Sequence, residues 1–264
     1  MKALLLLTLS VFAFADWGGL LNGIINSKKN TKLQSITTND KIIALKDALS
    51  DGTKYAISSL SKQNGYLDNA NVKIPLPSSM QKAASIVKKY GGTKYVNNFE
   101  AAINHAAEKA VPQTYNIFMN SIKKMTIKDA GKLLKGGKNS ATNFFKEKDS
   151  KLLYKKIYPI IQNSIKKINV MKYYQSLKKY YQKYMPSTPQ TNNNSLFGTI
   201  VNFAKTTGAK KYMMNLSEKS LNDYVTKKSV SGIFYMISKQ EEKIRANPLS
   251  ATSAIVKKVF SHYK

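Results

Sequence analysis

The 264-residue sequence carries 43 Lys and Arg against 14 Asp and Glu, a formal net charge of +29, with two His and no Cys. That balance excludes disulfide stapling and cysteine nucleophiles, and it leaves little material for metal or paired-carboxylate chemistry. Arg245 is the single arginine, so the charge is a lysine field that attracts anions at long range without the rigid two-pronged fork of a phosphate reader.

The chain opens MKALLLLTLSVFAFADWGG. Lys2 precedes an apolar run from Ala3 to Phe14, and Ala13-Phe14-Ala15 has the small-x-small form of a cleavage site. The expectation is a signal peptide over residues 1–15, cut after Ala15, and a periplasmic or secreted protein; the run falls short of the ~20 residues that span a bilayer. Loss of Lys2 lowers the charge by one to +28. Residues 16–38, rich in Gly, Asn, Ser and Lys around LLNGII, are expected to form a flexible arm. Residues 39–264 are then a single helical domain, with a linker at 186–195 (PSTPQTNNNS).

From Asn39 the pattern turns helical, with Ile42, Leu45, Leu49, Ala56 and Leu60 on one stripe and Gly65 after the end. NVKIPLP is expected to run extended because Pro75 and Pro77 cannot sit inside a helix. Ser78 or Ser79 caps a helix that stops at Gly91-Gly92. In the next helix Val96, Phe99, Ile103, Ala106 and Ala110 share an apolar face, which places Asn97, Asn104 and Glu108 on the opposite, solvated one. Pro112 is expected to break or kink it.

Thr126 caps IKDAGKLL, stopped by Gly136-Gly137. A short helix holds Phe144 and Phe145, and two longer ones follow at 149–168, kinked at Pro159, and 169–185. Beyond the linker lie LFGTIVNFAK and a helix from Ser217, with a kink or new helix near Gly232. NPLSATSAIVKKVF closes the chain as a helix with Pro248 in its first turn. Alternating strand pattern is nearly absent. The class is all-α, an irregular bundle of about nine or ten helices.

In KYYQSLKKYYQKYM, Tyr173, Tyr174, Tyr180, Tyr181 and Tyr184 fall on one helical stripe with Val170 and Leu177, and the lysines cover the other side. A single-strand nucleic-acid platform needs ring and cation on one surface, so nucleic acid is disfavoured and the aromatic face is expected to pack inward with its hydroxyls at the rim.

GKLLKGGKNS imitates a phosphate loop, but Gly137 stands where the lysine belongs and a helix precedes it, so a glycine helix stop is expected. Glu100, His105 and Glu108 are the acid–base candidates, with His262 as an added ligand; too few groups can be named for a metal site, and no cofactor is indicated. Glu241 and Glu242 form an ion pair with Arg245 at i+4 and i+3, and Arg245 is alternatively an external-anion ligand. No catalytic residue emerges.

ALKDALSDGTKYAISSLSKQNGYLDNANVKIPLP, NHAAEKAVP, MTIKDAGKLLKGGKNSATNFFKEK and LNDYVTKKSVSGIFYMISKQEEKIRANP together resemble the bacterial domain-of-unknown-function family numbered 4197. The resemblance spans residues 40–262 and implies an exported, helical envelope protein with no established activity. The functional expectation is non-catalytic binding or scaffolding of an anionic partner: a membrane surface, lipopolysaccharide or an acidic envelope protein. The alternatives are a hydrolase of an envelope polymer or a carrier of an apolar ligand.

Overall fold

The computed structural model describes residues 35–126, 130–184 and 216–264. The expected signal peptide, most of the arm, the 186–195 linker and LFGTIVNFAK lie outside the described residues. Among those described, there are eight α-helices, one 3-10 turn and no strand. They are α1 (Thr38–Leu60), α2 (Ser78–Lys89), α3 (Thr93–Lys123), α4 (Ala130–Lys135), α5 (Ser140–Ile168), α6 (Val170–Tyr184), α7 (Glu218–Ala246), the turn Pro248–Ser250, and α8 (Ala254–His262). The all-α class is as the sequence predicts.

The helices pack by burying apolar stripes on one another. α7 lies against α1 and α5, α3 against α1, α5 and α6, and α8 against α1. At the centre Phe118 of α3, Phe145 of α5 and Phe234 of α7 meet edge to face, with centroids 5.4 to 6.0 Å apart. Such geometry sets the positive ring edge against a negative face. Phe118 and Phe145 have no exposure at all.

Several expected breaks do not occur. Pro112 and Pro159 both lie inside continuous helices, and both rings are exposed, where water can take up the carbonyl that each proline leaves without a partner. The short Phe144–Phe145 helix is therefore the first part of α5. α7 runs unbroken through Gly232. That glycine serves packing instead: a Cβ there would stand 2.8 Å from Tyr66 Cε1. At the C-terminus the expected single helix divides into the 3-10 turn and α8, with Pro248 opening the turn.

Two polar residues correct the reading of α3. Asn104 is fully buried and Glu108 is 4% exposed; periodicity had set both toward solvent. Asn104 takes the Ile74 N–H on Oδ1 at 2.8 Å and donates from Nδ2 to the Ile74 carbonyl at 2.9 Å. NVKIPLP begins in a turn at Asn71 and Val72, and its remainder, 73–77, is pinned to α3 by that pair; Val72, Ile74 and Leu76 are buried.

Candidate functional site

Three polar sites carry the sequence candidates, and the first is built around Glu108. Its carboxylate accepts from the backbone N–H groups of Asn64, Tyr66 and Leu67 at 3.1 to 3.3 Å, and His105 Nδ1 lies 2.8 Å from Oε2. The turn it holds places Asn64 at φ 60°, a left-handed conformation that asparagine tolerates better than most. Tyr66 then inserts its ring without exposure and donates to the Ser229 carbonyl at 2.9 Å; burial and the neighbouring Glu108 push its phenol well above the usual range. Glu100 stands apart from this cluster, in an ion pair with Lys73 at 2.9 Å. His262 stacks edge to face on Tyr263. Among the described residues no group of three or more acids and histidines is placed to hold a metal.

The second site contains Arg245, four residues after Glu241 on α7. Glu241, 3% exposed, accepts from the Ala141 and Thr142 N–H groups and the Thr142 hydroxyl at 2.7 to 3.1 Å. It caps the positive N-terminal end of α5 with a carboxylate. Arg245 does the reverse for α4, donating to the Leu133 and Leu134 carbonyls at 2.8 and 3.0 Å and to Ser140 Oγ at 2.8 Å. The two side chains close on each other at 2.7 Å. The phosphate-loop imitation GKLLKGGKNS thus meets a cation, turning its Leu133 and Leu134 carbonyls to Arg245, while Glu241 takes the two amides that follow the segment. A cavity of about 470 Å³ beside it is lined by Lys135, Lys138, Glu242 and Tyr263 among others. Glu242 faces outward from this pair; its hydrogen bonds from Lys239 and then Asn139 hold the carboxyl below the usual range.

The third site is on α5 and α6, which together carry eleven lysines against two acids, every lysine but Lys178 being exposed. On α6 the narrow stripe Val170, Tyr174, Leu177 and Tyr181 is buried against α3. Tyr180 is half-buried, 4.6 Å from the Tyr95 ring centroid, and donates to the Tyr90 carbonyl at 2.6 Å. Two expectations are corrected here. Tyr173 is exposed at 38%, because it lies off the stripe that contacts α3. Tyr181 does not reach the rim: its hydroxyl is buried and has no partner among the described residues, and burial raises its pKa. The Tyr184 side chain is outside the described residues.

Rings and ammonium groups do meet on α5, at a place the periodicity of the tyrosine-rich segment did not flag. Lys151, Tyr154, Lys155 and Tyr158 follow i, i+3, i+4, i+7 spacing and so share one stripe. The two rings lie 5.9 Å apart at 48°. Opposite them the start of α7 supplies Ser217, Lys219, Ser220 and Asp223, enclosing an open groove of about 600 Å³. Tyr154 donates to Asp223 at 2.5 Å, and Lys227 donates to the other carboxylate oxygen at 2.8 Å. Hydrogen bonds from Lys227 and then Tyr154 lower the Asp223 pKa. Burial and the same Asp223 bond push the Tyr154 phenol up to about 12, so at neutral pH Tyr154 is a fixed donor and Asp223 a fixed anion. The legible signal was KLLYKKIYPI, with lysines and tyrosines at the same four-residue interval.

Among the described residues no helix is long and apolar enough to cross a membrane. No curated protein matches the chain. No solved structure matches it either. One family model does, over residues 35–261, and its description is protein of unknown function (DUF4197); with nearly the whole described helical domain covered, the chain belongs to that family.

Proposed function

We propose that the mature protein works in the bacterial envelope, after export directed by residues 1–15, as a non-catalytic binder of an anionic partner. The observation that carries this reading is the lysine excess of α5 and α6, eleven lysines against two acids, part of which shares a stripe with the Tyr154 and Tyr158 rings. Lysines so placed concentrate anions by a field that salt screens, with a reach of about 8 Å at physiological ionic strength. The acid–base candidates support binding over hydrolysis: Glu108 is engaged by three loop amides, and Glu100 by Lys73.

The test is cosedimentation of residues 16–264 with phosphatidylglycerol or phosphatidylcholine vesicles across a sodium chloride series, alongside soluble deacylated lipopolysaccharide. Capture by an anionic probe alone, lost as salt rises, is the expected result. Equal binding to neutral and anionic vesicles, or no binding to any anionic probe at low salt, refutes the reading.

A further inference from the structure

The groove between α5 and the start of α7 differs from the rest of the lysine-rich surface in the variety of its chemistry. Seven side chains line it: Tyr154, Lys155, Tyr158, Ser217, Lys219, Ser220 and Asp223. Two are aromatic and two are cations; the other three are two hydroxyls and a carboxylate.

An acyl chain is a poor occupant, because it would strip water from two ammonium groups and a carboxylate and return no hydrogen bonds. A bare phosphate matches the lysines but leaves the rings without purpose, and Asp223 would oppose it. A sugar ring answers each part. Its C–H face lies on a tyrosine ring, whose negative face favours the slightly positive hydrogens. Its hydroxyls donate to Asp223 and to the two serine oxygens, and a phosphate on the sugar reaches Lys155 and Lys219.

The acceptor is set in advance. Asp223 is oriented by Tyr154 at 2.5 Å and Lys227 at 2.8 Å, and each oxygen keeps a further lone-pair direction. Ser217 is the N-cap of α7, receiving the Ser220 N–H on Oγ at 3.1 Å; its hydroxyl donates to Ser220 Oγ at 3.1 Å and that of Ser220 to the Ser217 carbonyl at 2.8 Å, so both oxygens are held at the groove edge as acceptors. Orientation before binding lowers the ordering cost that makes saccharide sites weak.

From this geometry we infer that the groove recognises a phosphorylated saccharide, the sugar-phosphate head of an envelope glycolipid. The inference rests on the anionic-partner reading above and gives that partner a chemical class and a place.

The probe is deacylated lipopolysaccharide, a soluble phosphorylated oligosaccharide, compared with the same material after phosphatase treatment and with an oligothymidylate, by calorimetry on residues 16–264. Phosphorylated glycan is expected to bind about tenfold more tightly than the dephosphorylated form. Tyr158→Ala and the double change Lys155→Gln with Lys219→Gln should each weaken it by about tenfold, while Tyr158→Phe, which keeps the ring, and Lys109→Gln, exposed on α3, should not. Circular dichroism confirms that each variant is folded, and the two single tyrosine changes separate ring loss from misfolding.

Binding unchanged by the groove variants overturns the inference, as does tighter binding of the oligonucleotide. Capture by phosphatidylglycerol vesicles without any glycan binding overturns it too, while leaving the anionic-partner reading intact. Failure of every anionic probe overturns both.

Discussion

Asn104 and Glu108 stand one helical turn apart on α3, and each uses its polar side chain to hold backbone that belongs to no helix. Glu108 satisfies three loop amides, so Glu108→Ala leaves the buried Tyr66 N–H and the part-buried Asn64 and Leu67 N–H groups without that partner. The expected loss is about 3 kcal/mol, from the ~1–3 kcal/mol that an unsatisfied buried group costs and incomplete relaxation of the loop. Urea unfolding measures it, and a loss below about 1 kcal/mol would show that water replaces the carboxylate. Asp223 permits a test of a different kind. Its depressed pKa means that its stabilising share is present above the ordinary carboxyl range near pH ~4 and disappears as pH falls through the lower folded value. Tyr154→Phe removes one of the two hydrogen bonds responsible, so the Asp223 carboxyl, followed by NMR through a pH titration, should titrate at higher pH than in the parent. No movement would mean that Lys227 alone sets the value.

At the scale of the element, α7 shows what hydrophobic periodicity can and cannot disclose. Its start at Ser217 was legible because an N-cap serine is a local signal, and the Oγ does receive the Ser220 N–H. Its continuity through Gly232 was not, because the apolar face shifts around that turn, and the Tyr66 ring packed against the glycine comes from far earlier in the chain. The same limit misplaced Asn104 and Glu108: a wheel sorts residues by polarity, and a polar residue that anchors a distant loop looks like a solvated one. Of the candidate groups, the Glu241–Arg245 pairing followed from i, i+4 spacing, but its two helix ends lie about a hundred residues earlier in sequence. No local pattern encodes them. Gly232→Ala tests the packing account. Alanine favours a helix by ~1 kcal/mol, yet its Cβ would meet the Tyr66 ring at 2.8 Å, and overpacking a rigid core costs ~1–3 kcal/mol. Tyr66 cannot retreat easily, being fully buried and tied to the Ser229 carbonyl. Destabilisation by about 1 kcal/mol is expected from the balance of these two, read as a lower urea midpoint; a raised midpoint would show that the ring yields.

Across the whole molecule, the charge proposed to recruit a partner also strains the fold. The +28 net charge of residues 16–264 repels itself most strongly in the compact state, while the same field draws in anions. Added salt screens both effects, so stability and binding should respond with opposite signs. Raising sodium chloride from about 0.02 to 0.3 M shortens the Debye length to below ~10 Å. The melting temperature of residues 16–264 should then rise, by about 2–4 °C for each kcal/mol of repulsion relieved in a domain of this size, over the range in which anionic vesicles are released. The carriers of the effect can be located by converting Lys148, Lys151, Lys155 and Lys156 to glutamine together. All four are exposed on α5, and their loss should flatten both salt responses while leaving the helical content unchanged. If the melting temperature of that variant kept the parent's full salt dependence, the repulsion would have to be spread evenly over the surface, and the concentration of lysine on α5 and α6 would have no energetic consequence for the fold.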